Sequence, residues 1–335
     1  MKKYLIPKNG KFYKANLHCH STISDGHFTP EELKKLYMEK GYSIIAYTDH
    51  DVFLTHPELC DDSFLALNGF EVEINEEKPA GTPFKNLKTC HICFVALDPQ
   101  NDIHPLWHRS KYLFSNAVHH AKEVRFDENM PDYERAYNGE RISDMMRIGR
   151  EKGFFVTYNH PTWSMESYPE YMSYNNMSAM EMVNYECYAS GYPDRNERVY
   201  DDMLSAGKRL FCIATDDNHN INGCFGGFTM IKAEKLDYSC VADALESGNF
   251  YASEGPEITG LWYEDSKVTV ECSEARKIYI VKGIRDASAV RADETLLTGA
   301  EFEISKDDVY FRIVVEGADG KKAYTNAYFT DELYK

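Results

Sequence analysis

The stretch TPEELKKLYMEKGYSIIAYTDH, residues 29–50, sets one helix before one strand. Thr29 and Glu32 form a capping box, Pro30 takes the first helical position, Leu33, Leu36 and Tyr37 make an apolar stripe, and Gly41 stops the helix. The next run, Ser43-Ile44-Ile45-Ala46-Tyr47, is apolar and ends in Thr48-Asp49-His50, which reads as a buried strand delivering polar groups at its carboxyl end. Ala15-Asn16-Leu17-His18 and Phe154-Phe155-Val156-Thr157-Tyr158-Asn159-His160 repeat that design. Further apolar runs lie at 65–71, 90–97, 179–184, 210–214 and 228–233, and helical stretches at 142–152, closed by Gly153, and 197–206, closed by Gly207. Strand then helix, repeated, predicts an α/β fold with a parallel sheet or barrel, whose sites gather where strands end.

Two regions depart from that rhythm. Residues 98–140 form a polar insert with His104, Trp107, His108, His119 and His120, expected as a partly helical cap over the site. After Gly255-Pro256, period-two segments such as Lys267-Val268-Thr269-Val270-Glu271-Cys272 predict a small antiparallel β-sandwich over 256–335, leaving 1–255 as the larger unit.

Composition narrows the function. The 335 residues suffice for one large domain and a smaller module, and no apolar run is long enough for a membrane span. With 37 Lys and Arg against 54 Asp and Glu, the net charge of −17 argues against long nucleic acid as the main partner, while a small anionic substrate can still be drawn to a local cationic cluster. Nine scattered cysteines read as reduced thiols, and the amino-terminal residues lack a signal-peptide pattern, so the cytoplasm is expected.

The chemistry lies in the strand ends. His18-Cys19-His20 puts two imidazoles beside Asp25, and neutral imidazole with carboxylate suits zinc, manganese or iron. His50, Glu71, His91, His160, Asp217 and His219 also fall at predicted strand ends, so nine potential ligands face one rim. Six of the twelve histidines belong to that set, which scattered core or surface histidines would not produce.

In this order, His18-x-His20, Ser24-Asp25-Gly26, Thr48-Asp49-His50-Asp51, Gly69-Phe70-Glu71, His91, Asn159-His160-Pro161 and Asp217-x-His219 resemble the motifs of the PHP (polymerase and histidinol phosphatase) family across residues 12–255. The resemblance implies a distorted seven-stranded β/α barrel holding two or three divalent metals. One would take His18, His20, Glu71 and Asp217; a second, sharing Glu71, His91 and His160; a third, Asp25, His50 and His219. Three divalent ions against three carboxylates would leave about +3, a basin for phosphate, and a water bridging two metals would attack phosphorus with no protein nucleophile. A metal-dependent phosphoesterase acting on a small phosphorylated molecule, a nucleotide among the candidates, is the expected activity. Carboxyl or carbamate ester hydrolysis by the same cluster, and a metal-braced binding module without catalysis, are the alternatives.

Other residues have plainer expected roles. Asp49 and Asp51 should orient an imidazole, Glu73 should accept a hydrogen bond near Glu71, and Asp216 competes with Asp217 as a ligand. Cys19, Cys90 and Cys93 should pack in the core, His27 and His56 should be loop residues, and the four insert histidines should lie on solvated surface. Arg195 is the candidate phosphate clamp, since a guanidinium matches phosphate geometry.

Overall fold

A computed structural model describes residues 2–334. Its first ten strands are β1 (Lys3–Tyr4), β2 (Lys11–Asn16), β3 (Tyr42–Tyr47), β4 (Leu65–Asn75), β5 (Thr89–Ala96), β6 (Phe154–Tyr158), β7 (Ala179–Asn184), β8 (Phe211–Thr215), β9 (Phe228–Ala233) and β10 (Phe250–Ser253). Helix α1 (Pro30–Met38) carries the expected capping box: the Glu32 amide donates to Thr29 Oγ1 at 3.3 Å and the Thr29 amide to the Glu32 carboxylate at 2.9 Å. Its Leu33 and Tyr37 pack in one apolar cluster with Ile45 and Tyr47 of β3.

The fold is α/β, but its main sheet is mixed rather than parallel. Strands β2, β3 and β4 run parallel, as do β6, β7 and β8, while β5 is antiparallel to both neighbours. Residues 76–88 join β4 to β5 with a single 3₁₀ turn at Phe84–Asn86, and the two strands pair as an antiparallel neighbour couple. On the other side of β2 the sheet continues antiparallel through β9 and β10. The chain beyond β8 returns to β2: Cys19 and Asn218 form a bridge, and the Asp217 amide donates to the His18 carbonyl at 2.9 Å.

The 98–138 segment contains the four-residue helix α2 (Ala117–His120) and packs Trp107, Ala117 and Val124 on Val52. Helix α3 (Gly139–Glu151) then buries Ile142, Met145 and Met146. Gly149 lets α3 approach the sheet, because a methyl group there would lie 2.4 Å from Phe94 Cε1. Short helices α4 (Tyr168–Ser173), α5 (Tyr185–Ala189) and α6 (Glu197–Ser205), and then α7 (Tyr238–Ser247), complete the connections.

Beyond residue 255, β11 (Ile258–Glu264), β12 (Lys267–Ala275) and β15 (Leu297–Glu303) form a four-stranded antiparallel sheet with β1. Strands β13 (Lys277–Lys282), β14 (Ala287–Arg291), β16 (Tyr310–Glu316) and β17 (Lys322–Thr325) instead extend the main sheet, joined to it by β10–β17 pairing. The alternation read in the sequence puts Val268 and Val270 in one core with Ile278, Ile280, Ile313 and Val315. Among the described residues no helix is long and apolar enough to cross a membrane.

One buried acid gives stability a pH dependence. Glu166 accepts hydrogen bonds from the Tyr137 and Tyr158 hydroxyls at 2.8 and 2.5 Å and from Tyr174. Burial outweighs those bonds and pushes its carboxyl up to about 7, from 4.5. The native state therefore keeps a proton that the unfolded chain releases, and this contribution, complete below the unfolded value, is lost as pH rises through the folded one. Urea unfolding between about pH 4.5 and 7 should show a loss of up to about 3 kcal/mol from this group, and Glu166→Gln should flatten that slope. An unaltered slope in the variant would refute the assignment.

Candidate metal centre

The chain past β2 stays extended, so His18 and His20 turn to one side while Cys19 is buried on the other, as expected. Their Nε2 atoms lie 3.0 Å apart. Glu71 Oε1 is 3.2 Å from His18 Nε2 and Oε2 is 3.3 Å from His20 Nε2, while Asp217 Oδ1 is 3.0 and 3.1 Å from the same two nitrogens. Ligand atoms about 2.1 Å from a tetrahedral ion stand roughly 3.4 Å from one another, close to these separations.

Two further groups adjoin this one. His91 Nδ1 is 3.2 Å and His160 Nε2 3.6 Å from Glu71 Oε1, and His160 Nε2 is 3.7 Å from Asp217 Oδ2. Asp25 Oδ2 is 3.5 Å from His219 Nε2 and 3.9 Å from His50 Nε2, and His50 Nδ1 is 3.4 Å from Glu71 Oε2. All nine sequence-derived candidates therefore meet in one place. His91 gets there by a route the sequence concealed: because β5 runs backward, its beginning lies on the rim where the parallel strands end.

The donor set fits divalent cations. Glu71 Oε2, Asp217 Oδ1 and His20 Nδ1 are buried without a hydrogen bond, a loss of about 1–3 kcal/mol each that a bound cation would offset at the carboxylates. Burial, the strongest influence on Glu71 and Asp217, opposes their charge. The surrounding imidazoles, His18 foremost, nevertheless hold both carboxyls well below the usual range. At His91 burial is likewise outweighed, by Glu71 and Glu73, and the ring is raised to about 10; at His50 burial and His20 act together and lower it to about 3. Backbone strain accompanies the site, since His160 has φ +23° and Asp217 φ +54°, in the region non-glycine residues avoid.

A supporting layer holds the ligands, and the sequence reading missed its centre. Glu181, fully buried in β7, has Oε1 2.7 Å from His18 Nδ1 and accepts from the Thr215 hydroxyl at 2.6 Å; Oε2 accepts from the His160 amide and Asn184 Nδ2, both at 2.9 Å. Asn159 donates to Glu71 Oε1 at 2.9 Å and Asn184 to Asp217 Oδ2 at 3.0 Å. The available signal was a lone glutamate inside the apolar run 179–184, because glutamate is rarely buried unpaired.

Asp49 and Asp51 correct an expectation, for neither orients an imidazole. Asp49 accepts from the amides and hydroxyls of Ser21 and Ser24 and shapes the loop carrying Asp25. Asp51, at φ +57°, is bound by both terminal nitrogens of buried Arg135 from the insert, whose guanidinium also donates to the Glu73 carbonyl at 3.1 Å. Asp216 accepts from the amides of Phe225, Gly226 and Gly227, leaving the cluster to Asp217. Glu73 Oε2 lies 3.4 Å from His91 Nε2.

The remaining candidates lie apart. Arg195 donates to Glu254 Oε1 at 2.7 and 3.0 Å, stacks over Tyr188, and does not line the cavity. His104 and His108 are buried rather than solvated, His104 against the Phe70 ring at 4.1 Å, whereas His119 is exposed and His120 half-buried. His27 is exposed, His56 is buried against Tyr47, and Cys90 and Cys93 are core thiols. The cluster opens into a cavity of about 280 Å³, lined also by Phe84, Phe114, Trp163, Glu186, Cys187 and Ser190.

No family model and no curated protein matches the chain. Solved structures do. A two-domain protein containing predicted PHP-like metal-dependent phosphoesterase from Bacteroides vulgatus is 16% identical over 98% of this chain and 90% of that one, with a TM-score of 0.45. An amidohydrolase from Chromobacterium violaceum with bound sulfate and no metal is 15% identical over 62% and 88%, at 0.40. A lesion-specific endonuclease from Pyrococcus furiosus is 13% identical over 70% and 56%, also at 0.40.

Two outcomes follow from the supporting contacts. Glu181→Ala frees the His18 ring and should weaken zinc or manganese binding roughly 10- to 100-fold by calorimetry; undiminished affinity would remove its orienting role. Arg135→Met strands the buried Asp51 carboxylate and should cost about 3–5 kcal/mol in chemical unfolding, part of which Asp51→Asn should restore in the double variant.

Proposed function

We propose that the chain is a PHP-type metal-dependent hydrolase that cleaves the phosphate ester of a small substrate. The observation that carries this reading is the convergence of six histidines and three carboxylates on one rim, with Glu71 and Asp217 each reaching more than one imidazole group. In this assignment His18, His20, Glu71 and Asp217 hold one divalent ion, His91 and His160 with Glu71 a second, and Asp25, His50 and His219 a third. Zinc, manganese and iron all suit such donors.

Divalent ions bound there supply Lewis acidity toward phosphoryl oxygens and a lowered pKa for water. The protein's own part is positional. Glu181, Asn159 and Asn184 fix the ligand side chains, and the cavity presents them from one side. Asp25 and His219, at 26% and 29% side-chain exposure, are more open than buried His18, His20 and Glu71, so phosphate approaches beside them. Cys187 lines the same cavity, and burial pushes its thiol up.

The proposal takes residues 1–255 as a distorted seven-stranded barrel bearing the site and 256–335 as a β-sandwich. Nine unpaired cysteines support a cytoplasmic setting. A second reading, hydrolysis of carboxyl or carbamate esters, is favoured by one feature: among the described residues no Lys or Arg lines the cavity.

Elemental analysis of the purified protein, with phosphomonoesters, phosphodiesters, aryl acetates and carbamates as substrates, tests both. Phosphate release is expected, and chelation should abolish it and lower the melting temperature. Asp217→Asn should lose at least about a hundredfold in kcat/KM. Turnover of acetates or carbamates alone would select the second reading. Metal binding without any hydrolysis, together with a lowered melting temperature in His160→Ala, would leave only a braced binding module.

A further inference from the structure

A second cavity, of about 500 Å³, lies beside α1 and the start of β9, and its size suits a small molecule. It shares no lining residue with the metal cavity. Distant stretches of chain build it: Lys14 comes from β2, Lys40 from just past α1, Phe225 and Phe228 from the entry to β9, Glu254 and Glu257 from between β10 and β11, and Lys321 from the turn before β17.

Three lysines thus converge without a carboxylate to meet them. Among the described residues none of their ammonium groups makes an ion pair or a hydrogen bond, while the neighbouring Lys322 reaches Glu197 at 2.6 Å. Half-buried Lys14 is held by rings alone, its Nζ 4.1 Å from the centre of Tyr42 and 4.3 Å from that of Phe228, and Lys40 stands 5.7 Å over Phe225. Burial, the strongest influence on Lys14, lowers its pKa; Lys321 lowers it further, and Asp216 and Glu257 oppose both. Like charges gathered in one cavity, in a chain of net charge −17, cost free energy that a bound anion would offset.

The acids of the lining do not supply that anion. Glu254 is 5% exposed, and its Oε1 accepts from Arg195 at 2.7 and 3.0 Å, so that pair is neutral. Exposed Glu257 balances one of the three lysines. Glu254 Oε2 is buried with no hydrogen-bond partner, an acceptor that calls for a donor.

We propose that this cavity is a second ligand site, separate from the metal centre, for a small organic acid that carries a hydroxyl or an amine. Its acidic group meets Lys14, Lys40 and Lys321, its apolar body lies on Phe225 and Phe228, and its donor meets Glu254 Oε2.

The test titrates the metal-loaded full chain with 4-hydroxybenzenesulfonate, whose sulfonate is a weak metal ligand, and follows binding by calorimetry. Saturable binding of one probe per chain is expected. Benzenesulfonate, which lacks the donor, should bind severalfold more weakly, and phenol, which lacks the acid, should show no binding at millimolar concentration. Lys14→Met keeps the aliphatic stem against the rings and should weaken the probe at least about tenfold, the range of one hydrogen bond to a charged group. Lys321→Met and Lys40→Met, at exposed positions, should weaken it severalfold, and they decide the matter if Lys14→Met fails to fold. Asp25→Asn, an isosteric change at the metal centre, should leave probe affinity as it is. No saturable binding, equal binding of phenol, an affinity unchanged in the lysine variants, or binding lost in Asp25→Asn overturns the site. Benzenesulfonate equal to the hydroxylated probe overturns the part given to Glu254.

Discussion

The molecule is organised around the burial of one carboxylate. Glu71 is almost fully buried in the middle of β4, with nitrogens of His18, His20, His50, His91 and His160 within 3.6 Å of its oxygens. An ionised carboxylate is expensive to remove from water unless positive charge meets it, so each segment that reaches this point must bring a donor or a partner. Asn159 supplies a hydrogen bond, the imidazoles the neighbouring donors, and Glu181 behind them the alignment of His18 and the loop of His160. The left-handed backbone of His160 and Asp217 is the local strain that this convergence imposes.

The reversal of β5 couples the site to the rest of the fold. Because β4 and β5 form an antiparallel pair, His91 enters from a strand's beginning, and the connecting turn carries Phe84 to the cavity mouth. The segment after β5 returns over the same rim: Phe114 faces His50, and Arg135 neutralises Asp51 one residue beyond it. The insert is thus tied to the site by a buried ion pair as well as by the apolar contacts of Trp107 and Val124 with Val52. On the far side, pairing of β10 with β17 makes the carboxyl-terminal strands part of the same main sheet, so the end of the chain braces the edge from which β9 supports β2.

Much of this was legible in the residues because it is governed by short-range rules. Thr29, Pro30 and Glu32 specify the start of a helix through bonds within one turn, and the alternation from Lys267 to Cys272 specifies a strand with one buried face. The histidines and carboxylates at the ends of apolar runs stood out for a related reason, whereas Asp25 lies in a loop and His91 near the start of its strand. What lay outside such rules was misread. Asp49 and Asp51 stand beside a candidate ligand in sequence, but their partners Ser21, Ser24 and Arg135 come from other segments. Glu181 looked like an ordinary residue of a buried strand until His18 and Thr215 were brought against it.

The sequence by itself therefore determined the elements, their buried faces and the identity of the chemical groups, since each depends on neighbours within a few residues. Only the tertiary structure decided strand direction at β5, the burial of His104 and His108, the pairing of Arg195 with Glu254 and the aromatic wall of Phe84, Phe114 and Trp163. Those outcomes arise from contacts between segments tens of residues apart, where charge neutralisation and close packing select one arrangement among many that local propensity leaves equally open.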